Sequence, residues 1–252
     1  MLKIRVLPTL LYRDVELVKG VGFDSWRRVG SVMQAIKVYN MRRVDELVFL
    51  DISATRAGRS PDFALIDEIA DECFMPLTVG GGVRSVEDVR RLLQVGADKV
   101  AINTALLETP DVVEQVAGRF GSQCVIASID AKRHPDRRYE VYTHSGTRPT
   151  GIDPVSLARR AEQSGAGEIL LTSIDRDGTL SGYDIDLIRQ VTDVVSIPVI
   201  ASGGAGAATD MASALREGRA AAVAAASCYH FTELTPLEVK QHLRANGFPV
   251  RI

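Results

Sequence analysis

Short runs of Val, Ile and Leu alternate with amphipathic segments from one end of the chain to the other. The apolar runs predict strands at 4–8, 46–51, 77–79, 99–102, 124–129, 168–173, 198–201 and 221–225. Between them, apolar positions three and four residues apart predict helices near 31–40, 62–71, 86–95, 110–119, 154–164, 186–193, 209–217 and 236–245. Several helices open on a start signal: Ser85 with Asp88 three residues on, Pro110 after Thr109, Pro154 after Asp153, and Pro236 after Thr235. Strands that read as nearly continuous Val, Ile and Leu are those of a parallel sheet covered on both faces. Eight strand–helix alternations in 252 residues predict an α/β fold, a (β/α)8 barrel forming one domain over 1–252. An open doubly wound sheet is the competing arrangement, and eight strands would make it wide. A further run, 139–143, alternates like a hairpin strand above the fifth barrel strand.

The pattern repeats itself. Met75-Pro76-Leu77-Thr78-Val79-Gly80-Gly81-Gly82 returns as Ile197-Pro198-Val199-Ile200-Ala201-Ser202-Gly203-Gly204, 122 positions on, and the same offset carries Gly96 onto Gly218 and Glu46 onto Glu168. The barrel is therefore expected to consist of two duplicated half-barrels, which suits a ligand with similar groups at both ends.

Composition narrows the class. Lys plus Arg number 30 against 32 Asp plus Glu, for a net charge of −2, so there is no polybasic footprint for nucleic acid or anionic lipid. No apolar stretch approaches the length of a membrane span, and none has the form of a signal segment. Three separated cysteines, Cys73, Cys124 and Cys228, argue against a disulfide framework or a zinc site. The four histidines show no metal-ligand spacing either. The expectation is a cytoplasmic protein with no metal and no cofactor.

In this architecture chemistry sits at the C-terminal ends of the strands. There the repeat places Gly80-Gly81-Gly82 and Gly203-Gly204, followed one strand later by Asn103-Thr104 and Ala226-Ser227. Glycine lets backbone N–H groups approach an anion, and small polar side chains donate to it. Gly82, Asn103 and Thr104 form one candidate phosphate cradle, and Asp177, Gly178, Gly204, Ala226 and Ser227 the other. The alternative is that the glycines only make tight turns. Asp130 ends the fifth strand, placed for general acid–base work or for a salt bridge. Asp51 ends the second strand, and Lys19 lies in the long first loop with Trp26. Four charges stand at the opposite, N-terminal ends: Arg5, Glu46, Lys99 and Glu168. Two cations and two anions compensate one another, either as a plug of the barrel floor or as a polar gate admitting a small neutral molecule such as ammonia. Asp98, beside Lys99, would then face a docked partner.

These residues resemble the cyclase subunit of imidazole glycerol phosphate synthase over nearly the whole chain. The matching stretches include 45–52, Thr78-Val79-Gly80-Gly81-Gly82, 96–100, Ile102-Asn103-Thr104, Ile129-Asp130-Ala131-Lys132, 165–170, Asp175-Arg176-Asp177-Gly178 and 201–206. The sister isomerase shares the twofold barrel but would not be expected to carry the four-charge set. The resemblance implies a glutaminase subunit docked on the floor as a heterodimer, with ammonia passing the gate. It implies a ribulosyl formimino carboxamide ribotide with two phosphates at the mouth. Asp130 would be one of two catalytic aspartates, assisted by Lys19 and Asp51.

The register set by Arg5 and Lys19-Gly20 puts the family's second aspartate on Leu11. Leu10-Leu11, with Glu72-Cys73-Phe74-Met75-Pro76, resembles a divergent branch associated with surface-polysaccharide genes. That branch is thought to hand ammonia to a separate amidotransferase acting on a sugar N-acyl group. Two readings follow: a glutamine-fed cyclase, and a channelling scaffold that serves a third protein.

Overall fold

The computed structural model describes residues 3–252. In chain order its strands are β1 (Arg5–Arg13), β2 (Glu16–Val21), β3 (Asp24–Gly30), β4 (Leu47–Asp51), β5 (Leu77–Gly80), β6 (Lys99–Ile102), β7 (Val125–Arg133), β8 (Tyr139–Thr143), β9 (Arg148–Pro149), β10 (Glu168–Ser173), β11 (Val199–Ser202) and β12 (Ala222–Ala225). Eight of them, β1, β4, β5, β6, β7, β10, β11 and β12, pair in parallel and close into a barrel through β12 and β1. Helices follow the strands on the outside, and the fold is the (β/α)8 barrel that the alternation predicted.

Each of the eight barrel strands is buried on both faces along most of its length, which is why it reads as a nearly unbroken apolar run. In β7, Val125, Ala127 and Ile129 pack outward into the shell beneath the helices, while Ile126 faces the axis. The axis is filled midway by Leu7, Val48, Ala101, Ile126, Leu170, Ile200, Ala222 and Ala224. Three of the four predicted helix starts behave as their sequences indicate, whereas at the fourth Pro110 precedes Asp111–Phe120 as its N-cap and no side chain caps the helix. Ser85 and Asp88 form a reciprocal capping box on Val86–Gln94, Thr235 and Glu238 another on Pro236–Ala245, and Asp153 caps Pro154–Gln163.

The internal repeat is geometric as well as textual. Leu47 N–H donates to Pro76 O at 2.9 Å, and 122 residues on Ile169 N–H donates to Pro198 O at the same distance. At the other end of the barrel, Ile52 N–H donates to Tyr12 O and Ile174 N–H to Ala131 O, each at 2.9 Å. Tyr12 is thus the twin of Ala131, and Leu11 the twin of Asp130.

Two additions decorate the mouth. β8 and β9 extend β7 as an antiparallel hairpin, as the alternation at 139–143 indicated. The first loop differs from expectation: it is an ordered antiparallel hairpin, β2 with β3, continuing directly from β1. Lys19 therefore lies on a strand, not in an irregular loop. The turn of this hairpin is Gly22-Phe23, with φ of +60° and +62°. Such two-residue turns need positive φ at both positions, which Asn and Gly supply readily and Phe rarely does. The aromatic residue hid the turn from a reading by residue type.

Candidate active site at the barrel mouth

The C-terminal ends of the strands surround a chamber that is open to solvent. Its deeper wall is built from axis-facing positions of the strands, Thr9, Leu11, Leu50, Ala101, Asn103, Ser128, Asp130, Leu170, Thr172 and Ala224. The sequence-predicted residues Lys19, Asp51, Gly82, Asn103, Thr104, Asp130, Asp177, Gly178, Gly204, Ala226 and Ser227 all line this one chamber.

Asp130 is half-buried in the chamber wall. Burial pushes its carboxyl up to about 7, the negative charge of Asp177 adds to the rise, and the Thr172 hydroxyl pulls the other way. The Asn103 amide donates to Asp130 Oδ2 at 3.2 Å and to Ser128 O at 3.0 Å, so Asn103 is a neighbour of the carboxylate as well as a cradle residue. A carboxyl that changes charge near neutral pH is suited to take or give a proton. Across from it, Leu11 presents an apolar side chain. Asp14, three residues on, does not replace a carboxylate there: it sits exposed at a turn with φ of +60° and faces Arg13.

Lys19 is the largest fully buried side chain, and its ammonium meets Asp177 Oδ2 at 2.5 Å. Burial raises the Asp177 carboxyl while the Lys19 charge lowers it, burial being the larger effect. Asp177 is thus engaged by a cation of the first hairpin and is not a free anion facing a phosphate. Beside the pair, burial and the Lys19 charge push the His230 imidazole down to about 4, leaving it neutral. Asp51 is chiefly a loop-former: its Oδ1 accepts from Ser53 N–H at 2.8 Å, Ser53 Oγ at 2.7 Å and Ala54 N–H at 3.0 Å. Its second oxygen is buried without a hydrogen-bond partner among the described residues, with Arg59 at 3.6 Å.

The two candidate cradles differ in their hydrogen bonding. In the first, Gly82 N–H already donates to Thr55 Oγ1 at 3.2 Å, and Thr104 Oγ1 accepts from His144 N–H at 3.2 Å. In the second, Ser227 Oγ is buried with no partner among the described residues, beside Gly204 and Gly178 on the chamber wall. An unsatisfied buried hydroxyl awaits a ligand group or water.

The glycines are also required sterically. A Cβ on Gly81 would lie 2.2 Å from Asp51 O, and one on its twin Gly203 would lie 2.6 Å from Ser173 O. The clusters make close turns, and they also line the chamber. Trp26, Phe23 and Ser145, contributed by the two hairpins, were not anticipated as chamber residues. Cys228, close in sequence to Ser227, is fully buried and absent from the chamber wall.

At the other end of the axis the four predicted charges form a closed ring. Arg5 bonds Glu46 at 2.7 Å and Glu168 at 2.8 Å, and Lys99 reaches Glu46 and Glu168 at 3.0 Å each. Thr78 Oγ1 donates to Glu46 at 2.8 Å. Cations and anions alternate, so every carboxylate is shared by two cations and no charge is left alone. The ring turns inward, and the apolar layer of Leu7, Val48, Ile126 and their neighbours separates it from the chamber. Asp98 is exposed beside Lys99, with one oxygen accepting from Leu77 N–H at 2.8 Å. Asp45 does the same for Val6 N–H at 3.0 Å, held in turn by the buried Lys240 at 2.8 Å. Holding a strand start is thus a role Asp98 fulfils within its own chain.

Among the described residues no group of three or more His, Cys, Asp and Glu is placed to hold a metal, and no helix is long and apolar enough to cross a membrane. A family model described as histidine biosynthesis protein matches residues 5–235.

Proposed function

Because the chain belongs to the histidine biosynthesis protein family, an enzyme family, we propose that it works as a cyclase-subunit-like barrel of imidazole glycerol phosphate synthase. A glutaminase subunit docks on the floor around Asp98 and releases ammonia against the charge ring. Ammonia is small and neutral, so it passes between apolar side chains that exclude ions, and it arrives beside Asp130. The ligand at the mouth is a ribotide with two phosphates, one in each cradle. Asp130 moves the protons of ring closure, which yields imidazole glycerol phosphate and an aminoimidazole carboxamide ribotide. Lys19, fixed by Asp177, supplies a positive charge at the rim. Gly82, Asn103 and Thr104 receive one phosphate; Gly178, Gly204, Ala226 and Ser227 receive the other.

One observation carries this reading: the inward-turned ring of Arg5, Glu46, Lys99 and Glu168 lies on the same axis as a chamber with two cradles.

A second reading is favoured by Leu11. It stands at the twin position of Asp130, where a leucine moves no proton, and loss of a positioned acid–base group costs about 10²–10⁴ in rate. In that reading the barrel belongs to the divergent branch and passes ammonia to an amidotransferase that forms an amidine on a sugar N-acyl group. The dividing experiment supplies the bis-phosphorylated ribotide with ammonium salt at high pH, bypassing the glutaminase. Turnover that Asp130→Asn abolishes supports the cyclase. Absence of turnover, recovered by Leu11→Asp, supports the scaffold.

A further inference from the structure

The β2–β3 hairpin is fastened across the mouth at four points. Lys19 pairs with Asp177, and Gly22 N–H donates to Asp177 O at 2.8 Å. The Arg27 guanidinium lies 4.5 Å from the centroid of the Phe231 ring. Phe23 packs on Gly146 of the opposite hairpin, so closely that a Cβ there would come within 2.7 Å of its ring. Phe23 adopts its left-handed backbone conformation at this contact, a cost for an aromatic residue that the surrounding contacts must offset.

What this fastening holds in place is Trp26. It is the chain's single tryptophan, half-buried on β3 and part of the chamber wall. Its six-membered ring runs along Gly20, where a Cβ would come within 3.0 Å of Cε3. Phe231 carries Arg27 and Phe63 carries Arg91, but no aromatic or cationic group stacks on the Trp26 ring among the described residues. Leu11, Phe23, Ile52 and Val83 extend the same chamber with apolar surface, while Asn103, Ser128, Asp130 and Thr172 bring polar groups. The mouth thus combines an aromatic and aliphatic side with a hydrogen-bonding side, between two anion cradles. A planar, edge-polar ring on a phosphate ester matches that division: its face meets indole, and its edge nitrogens meet Asn103 and Asp130.

We propose that Trp26 is a specificity-determining residue whose indole stacks on a planar nitrogen heterocycle of the ligand, the phosphate of the same molecule resting in a cradle. This assignment rests on the reading of the mouth as a phosphate-ester site and adds to it the residue that recognises the ring. No chemical step is assigned to the indole.

The test compares two probes that differ by the ring. Aminoimidazole carboxamide ribotide and ribose 5-phosphate are titrated calorimetrically, and tryptophan emission is followed in parallel. The expected result is that the ribotide alters the emission of Trp26 whereas ribose 5-phosphate binds without doing so. Trp26→Ala weakens the ribotide about tenfold and leaves ribose 5-phosphate within twofold, and Trp26→Phe recovers most of the loss. Equal weakening of both probes would make Trp26 a support of the hairpin only, and unchanged ribotide affinity in Trp26→Ala would dismiss stacking altogether. If neither probe binds at millimolar concentration, the phosphate-ester reading fails first and takes this proposal with it.

Discussion

The Lys19 ammonium lies 2.5 Å from a carboxylate oxygen of Asp177, joining the first hairpin to the loop after β10. The contact couples three parts of the site. It neutralises a buried carboxylate, it anchors the hairpin that carries Trp26, and it sets how strongly Asp177 acts on Asp130.

Removing either partner has opposite electrostatic consequences. Asp177→Asn deletes one of the two influences that raise the Asp130 carboxyl, so the Asp130 midpoint falls below its value of about 7 in the parent protein. Carboxyl-carbon NMR titration of the two proteins measures the shift. Lys19→Met leaves Asp177 buried without its cation, which costs about 3 kcal/mol in the unfolding free energy. It also loosens the hairpin, so limited proteolysis is expected to cleave near residues 22–25 faster than in the parent.

Asp130 makes stability depend on pH. An unfolded-chain aspartate titrates at about 4, whereas folded Asp130 keeps its proton up to about 7. The folded state therefore binds more protons between these values, and this contribution to stability is full below pH 4 and is lost as pH rises through 7. Asp130→Asn removes the dependence. Urea midpoints of parent and variant are expected to coincide at pH 4 and to diverge by pH 8, with the variant the more stable. If ring closure uses the Asp130 carboxylate as base, activity in the parent rises through pH 7 over the same titration.

The floor ring predicts a non-additive pair of substitutions. Glu46 is 2 % exposed and accepts from Arg5, Lys99 and Thr78. Glu46→Gln leaves two cations sharing Glu168, at a cost of about 3 kcal/mol. Adding Lys99→Met restores one cation to one anion and recovers a substantial part of that loss. A double-mutant cycle by urea unfolding checks this; strict additivity would mean the four charges do not act as a ring.

The twin glycines make a steric prediction. At Gly81, φ is +107° and a Cβ would collide with Asp51 O at 2.2 Å; at Gly203, φ is +88° and the collision is with Ser173 O at 2.6 Å. Alanine at either position is expected to cost about 2 kcal/mol or more. Gly118 is a control, having ordinary helical φ and open space around its Cβ. There alanine is expected to be neutral or slightly stabilising. Thermal unfolding of the three variants ranks them.

Much of this molecule was legible from residue order. Barrel strands are buried on both faces, so they write themselves as apolar runs, and a charge at the start of such a run is conspicuous; Arg5, Glu46, Lys99 and Glu168 stood out for that reason. The repeat located the mouth glycines, whereas Leu11 stood out only through the family resemblance, and the hydrogen-bond register of the fold made it the twin of Asp130. Other features depended on contacts that no local pattern encodes. The first hairpin was hidden by Phe23 in a turn position usually occupied by Asn or Gly. The partner of Lys19 lies 158 residues away. Asp98 and Asp45 resemble surface charges until the fold shows each holding the N–H at a strand start.

The sequence by itself determined the architecture, the duplication and which charged residues stand at the starts of the barrel strands, because periodicity and burial are properties of neighbouring residues. Only the tertiary structure decided that the four charges alternate in a closed ring, that Asp177 is held by a cation and not free for an anion, and that Trp26 faces the mouth. Those outcomes depend on distances between residues far apart in the chain, and such distances exist only once the barrel has closed.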